Sequence, residues 1–327
     1  MKSVLIGLTC LLVLLLVAAW YTTPARLQPA SQQLTLQGVT SAADLEGYLA
    51  DTEAVTQAAY GIVEEAEKRI VWAEDSGQKT EFVVVNLHGF SATRQEIAPV
   101  PERVAAALGA NLFETRLSGH GQLREAMENV PAEAWLADGV EALAIGRLLG
   151  EKIILMGTST GATIALAMAK HPDFSAVDSL IFLSPNFGPA AAGSDIATMP
   201  FGPQITRLVA GAIHQWEPAN ELQGKYWTTR YPIETIVEMM RLVKHAVPIA
   251  TEMRVNNALL MYSPKDDVVS VDKLLTGFES MSAARKHIVR IDEPKSISPH
   301  VFTGNILGPE AVEESVASIV GFLNGAP

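Results

Sequence analysis

Cysteine is almost missing from this chain. Cys10 is the only one in 327 residues, and it lies inside an apolar run at the start. The folded part therefore has no disulfide, no thiolate nucleophile and no cysteine-ligated metal. A lipoprotein anchor needs its cysteine at the end of such a run, whereas most of this run follows Cys10. Positive charge is scarce too. Lys and Arg number 24 against 36 Asp and Glu, a net charge of −12. That balance argues against nucleic acid as a partner and against electrostatic binding to anionic lipid. No internal repeat is visible.

What is present begins with the run itself. Residues 4–20 carry no charge, and only Lys2 and the N-terminal amine precede them. A bilayer-spanning helix needs about 17–25 residues, and a signal-peptide core about 7–15. The run falls between these, and Val17-Ala18-Ala19 offers small residues for cleavage. Residues 1–20 are expected to act as a signal peptide or a membrane anchor. The chain is then exported, and either membrane-anchored or secreted and periplasmic. Residues 21–40, rich in Pro, Gln and Thr and without a period, read as a linker.

Residues 41–327 are expected to form one α/β domain. Their apolar content supports a large core, since the chain is 48% hydrophobic and 18% charged. Ser41 before Asp44 and Leu45 marks a helix start, and the helix is expected to run towards residue 67. Strands are expected over 70–73 and 82–87. Val83, Val84 and Val85 form a continuous β-branched run, as in a strand buried on both faces. Alternation follows: helix 100–108, strand 111–117, helix 135–149, strand 152–156, helix 162–170, strand 179–183. It resumes with strand 257–262, helix 271–280, strand 287–291 and helix 311–323. This pattern predicts a mostly parallel central sheet flanked by helices. Residues 186–247 interrupt it with Pro, Gly and aromatic residues, and are expected to form an inserted, mainly helical cap.

The chemistry centres on Gly157-Thr158-Ser159-Thr160-Gly161. This pentapeptide follows a strand and opens a helix. A serine on such a turn is held strained, with its hydroxyl exposed above the sheet. The flanking glycines relieve crowding. The helix N-terminus favours developing negative charge. A serine hydroxyl needs a base, and in this architecture the chain order is Ser, then Asp or Glu, then His. His171, His214, His245, His287 and His300 follow Ser159. Among these His300 lies in a loop after a late strand, where a base projects back to the serine. Asp266 and Asp267 follow the strand over 257–262, and either one could orient His300. An oxyanion hole is expected from the backbone N–H of Thr160, with a second donor from Phe90 in Leu87-His88-Gly89-Phe90-Ser91. His88 precedes the serine and reads as a structural residue of that loop.

These motifs resemble a known family. Leu87-His88-Gly89-Phe90-Ser91, Arg116-Leu117-Ser118-Gly119-His120-Gly121, Gly157 to Gly161, Lys265-Asp266-Asp267-Val268-Val269 and Ser298-Pro299-His300-Val301 occur in the order of α/β hydrolases. They look most like the carboxylesterase and monoacylglycerol-lipase-like serine hydrolases. The resemblance covers about residue 70 to the C-terminus. It implies a catalytic triad of Ser159, Asp266 and His300, oxyanion donors at Phe90 and Thr160, and no metal or organic cofactor. It also implies small-molecule esters, including lipid-derived ones, as substrates. Thioesterase, acyltransferase or amidase chemistry would use the same site, and a catalytically silent tethered binding protein is the alternative outside catalysis. The 116–121 segment lacks the form common in proline iminopeptidases, which weighs against a peptidase. The cap aromatics read equally as the lining of an acyl pocket or as ordinary cap core.

Overall fold

A computed structural model describes residues 6, 8–9, 16–28 and 34–325. A short 3₁₀ turn, capped by the reciprocal Ser41–Asp44 pair, leads into helix α1 (Leu45–Tyr60). The helix ends at Gly61, whose φ of 71° suits glycine, instead of running to residue 67. The remaining elements are β1 (Arg69–Val71), β2 (Thr80–Leu87), α2 (Val100–Leu108), β3 (Asn111–Glu114), α3 (Ala132–Leu149), β4 (Gly150–Thr158), α4 (Thr160–Ala167) and β5 (Val177–Leu183). The cap supplies α5 (Gly202–Ala210), β6 (Ile213–Gln215), α6 (Glu221–Tyr226), β7 (Arg230–Pro232) and α7 (Ile233–Ala246). The chain closes with β8 (Arg254–Tyr262), α8 (Val271–Ser280), β9 (Ser282–Arg290) and α9 (Val312–Leu323).

Seven strands form one sheet in the order β1-β3-β2-β4-β5-β8-β9. All neighbours are parallel except β1, which runs antiparallel to β3 at the edge. Alternate residues of the central strands feed two buried clusters. Val83, Val85, Leu155 and Phe182 join one face with α1, α3, α4, α7 and α8. Val84, Met156, Ile181 and Leu259 join the other with α2 and α9. Both faces are covered, which is why the strands read as unbroken apolar runs. Fully burying one such side chain is worth about 1.5–3 kcal/mol, and Leu155→Ala is expected to cost about 2–5 kcal/mol through the cavity it leaves.

The cap is mainly helical, with one small hairpin of β6 and β7. Much of residues 4–20 lies outside the described residues. Residues 16–22 are helical, and among the described residues no helix is long and apolar enough to cross a membrane. The stretch read as a linker is partly docked. Leu27 and Leu36 are buried in the core, and Arg241 of α7 donates to the Ala25 carbonyl at 2.9 Å. Residues 29–33 lie outside the described residues.

Candidate active site

The segments singled out in the sequence all leave the carboxyl ends of parallel strands. Residues 88–91 follow β2, Ser159 follows β4, Asp266 follows β8 and His300 lies beyond β9. Open α/β sheets bind ligands at that end.

Ser159 caps α4 with φ 49° and ψ −115°, a conformation strained for a residue with a Cβ. Local packing holds it there. Its N–H donates to the Leu183 carbonyl at 2.9 Å, and its own carbonyl accepts from Asn186 N–H at 3.0 Å. The flanking glycines answer crowding. A Cβ on Gly161 would lie 2.0 Å from the Leu87 carbonyl oxygen, and one on Gly157 2.6 Å from Ala162 backbone atoms. The turn therefore fits against the start of the 88–91 loop only with glycine at 161. Thr160 is the first residue of α4, so its N–H has no acceptor within the helix.

His300 Nδ1 lies 2.7 Å from Asp266 Oδ2, and both side chains are buried. The arrangement places the Nδ1 proton on the carboxylate side and leaves Nε2 as an acceptor. The second oxygen, Asp266 Oδ1, accepts from Val268 N–H at 2.9 Å and Val269 N–H at 3.0 Å. Burial opposes the charge on Asp266. The hydrogen bond and charge of His300 and the two N–H groups outweigh burial, and hold the carboxyl below its usual range. Asp267, by contrast, is exposed.

Ser159, His300, Phe90 and Glu96 line one cavity of about 380 Å³. The cap closes it with His214, Trp216, Trp227 and Tyr231. A larger cavity of about 840 Å³ lies between α7 and α8, but Ser159 and His300 do not line it. The smaller one is the candidate active site, because it holds both Ser159 and His300. Of the cap aromatics, Phe187 faces the larger cavity, whereas Trp216, Trp227 and Tyr231 face the serine.

His88 does not act as a base in this arrangement. It is fully buried, with Nδ1 2.9 Å from the Gly89 carbonyl and Nε2 accepting from Leu117 N–H at 3.1 Å. Burial, aided by His120 nearby, pushes its pKa down to about 3, so the ring stays neutral. It ties the 88–91 loop to the 116–121 loop. Phe90 is wedged edge-on against Trp135 and Tyr231, with ring centroids 5.8 and 5.4 Å away.

One residue escaped the sequence reading. Glu96 is buried, and its Oε2 accepts from Gly89 N–H at 2.7 Å. A Cβ on Gly89 would lie 2.7 Å from Glu96 Oε1, so glycine is what lets the carboxyl approach the loop. Burial raises the Glu96 pKa to about 7, against the Gly89 hydrogen bond and the charge of His300. Its only sequence signal is Thr93, which caps the 3₁₀ turn Arg94–Glu96.

Behind the site, α1 holds the 116–121 loop. Arg116 forms a buried two-pronged ion pair with Glu53, at 2.8 and 2.9 Å. Among the described residues no group of His, Cys, Asp and Glu has an arrangement suited to a metal ion.

Sheet order, strand ends and cap define an α/β hydrolase. Residues 78–294 match the model of the family described as serine aminopeptidase, S33. The match spans more than half of the chain, which therefore belongs to this family. No curated protein matches the sequence. Solved structures share the fold. One, from work on LipS and LipT, two metagenome-derived lipolytic enzymes, has a TM-score of 0.64 at 17% identity, covering 80% of this chain and 99% of that one. The monoacylglycerol lipase of Paleococcus ferrophilus gives 0.58 at 16% identity, covering 80% and 100%. A soluble variant of monoglyceride lipase from Saccharomyces cerevisiae, in complex with a substrate analogue, gives 0.57 at 11% identity, covering 93% and 99%.

Proposed function

We propose that this chain is a serine hydrolase that cleaves carboxylic esters through an acyl-enzyme on Ser159. The observation that carries this reading is the 2.7 Å His300–Asp266 contact beside a strained serine in one cavity. His300 Nε2 takes the Ser159 proton as Oγ attacks the substrate carbonyl. The N–H groups of Phe90 and Thr160 receive the oxyanion. The ester C–O bond then breaks, and His300 gives its proton to the leaving alcohol. Water, deprotonated by His300, attacks the acyl-enzyme and releases the acid with Ser159 restored. Every proton passes through His300, and the scheme takes no metal or organic cofactor.

The lipolytic and monoacylglycerol lipase relatives support lipid-derived esters as the substrate class. Trp216, Trp227 and Tyr231 around the serine support an apolar acyl group. A panel of matched p-nitrophenyl esters, thioesters and aminoacyl anilides tests the reading. Esters are expected to turn over fastest, and anilides faster than esters would overturn the assignment in favour of a peptidase. We also propose that residues 4–20 export or tether the chain, which membrane fractionation of the producing cells checks. Supporting this is the absence of charge throughout the run.

A further inference from the structure

We propose that the outer face of α5, together with the helical residues 16–22 docked beside it, is a surface for the lipid bilayer. The inference is independent of the ester reading. It starts from an inverted helix. Surface helices turn their apolar stripe inwards. In α5 the residues at i, i+3 and i+4, Ile205, Leu208 and Val209, point outwards, and Leu208 and Val209 are 86% and 80% exposed. The inner side is made by Gly202, Pro203 and Thr206 instead. Met199 just before the helix is exposed as well.

Charge singles out the same segment. In a chain of net charge −12, residues 196–216 contain no Asp or Glu. Their single Lys or Arg is Arg207, which is paired with Glu234 of α7. A face without acids meets no repulsion from anionic headgroups, and its exposed apolar atoms gain by entering the acyl region.

The second observation is where the N-terminal segment ends. Thr22 Oγ1 accepts from Phe201 N–H at 3.1 Å, at the very start of α5. Just before it, Trp20 and Tyr21 are 74% and 75% exposed, and Leu16 and Val17 are exposed too. Residues 3–25 carry no charge at all. Two apolar segments without acidic residues, distant in sequence, therefore meet at one point. Trp and Tyr are the residues that settle at a bilayer interface. A second copy of the chain is a poorer occupant. The nine residues of α5 offer far less than the roughly 1,200–2,000 Å² that a stable interface buries. The geometry also has a use. The strand that follows α5, β6, carries His214, and Trp216 comes next, both lining the cavity of Ser159. The segment facing the bilayer continues directly into the wall of the site.

The test uses the full chain with Cys10→Ser and Leu208→Cys, labelled at 208 with an environment-sensitive fluorophore, and phosphatidylcholine vesicles. On vesicle-bound protein the label is expected to be quenched by nitroxide on the acyl chains and shielded from iodide. A label open to iodide on bound protein overturns the proposal. So does shielding without vesicles together with a doubled mass, which assigns the face to a second copy. In the labelled chain, Ile205→Glu with Val209→Glu is expected to lower the acyl-chain nitroxide quenching of the label at 208 at least about tenfold on vesicle-bound protein, even where residues 4–20 hold the protein on the vesicle. Far-ultraviolet circular dichroism and the thermal unfolding midpoint should match the parent and so report an intact fold. Unchanged quenching would overturn the proposal.

Discussion

Asp266 Oδ2 lies 2.7 Å from His300 Nδ1, whereas the adjacent Asp267 turns to solvent. Two neighbouring carboxylates in one turn thus have separate fates. Asp266 N–H donates to the Ser263 carbonyl at 3.1 Å, and the N–H groups of Val268 and Val269 hold the other carboxylate oxygen. Asp266→Asn removes the acceptor that orients the imidazole and is expected to lower turnover by about 10⁴. Asp267→Asn is expected to change it by less than about tenfold, since an exposed carboxylate acts only through screened charge. Measuring both variants with one activated ester, after confirming that each is folded, decides between them.

The cap aromatics give a specificity prediction. Trp216 and Trp227 line the cavity with Ser159. Replacing either with Ala is expected to shift the preference among short and long acyl esters more than it changes the rate on the shortest ester. Chain-length profiles that superimpose on the parent for both variants would assign these residues to cap packing alone.

A stability prediction concerns Glu53 and Arg116. Their ion pair is buried, and removing one partner strands the other's charge. Glu53→Ala is expected to cost about 3–5 kcal/mol. Glu53→Leu combined with Arg116→Met should cost much less, because no unpaired charge remains. Urea unfolding of the three proteins measures this, and a Glu53→Ala loss under about 1 kcal/mol would show that α1 is dispensable to the loop.

Glu96 makes stability depend on pH with a definite sign. Its carboxyl titrates at about 7 when folded, above the ordinary value of 4.5. Between those values the folded state holds a proton that the unfolded chain has lost. Stability from this group therefore falls as pH rises from about 4.5 to about 7, by up to about 1.4 kcal/mol per pH unit. Glu96→Gln removes that slope. Unfolding free energies at pH 5 and pH 7 should diverge between parent and variant, and parallel values would contradict the raised pKa.

Much of the fold was legible because its strands are buried on both faces. Val83 to Val85 and Ile153 to Met156 alternate between two cores, so no polar residue interrupts them. The serine turn was legible because Gly157 and Gly161 are required by close backbone approach. His300 emerged from chain order. Other features have no local signature. The antiparallel direction of β1 is set by pairing Arg69 to Val71 with β3, some forty residues later. The end of α1 at Tyr60 does carry one local signal, Gly61, which the expectation of a helix towards residue 67 overruns. Glu96 acts only because its loop folds back on Gly89. Glu53 meets Arg116 across 63 residues, a contact that no spacing rule foresees.

The ester scheme turns on Ser159 as the covalent nucleophile. A fluorophosphonate probe followed by peptide mapping tests it most directly. One adduct is expected, on Ser159, and Ser159→Ala should remain folded, take no label and lose on the order of 10⁶ in ester turnover. Labelling that persists in Ser159→Ala, or an adduct mapped to another residue, would contradict the account.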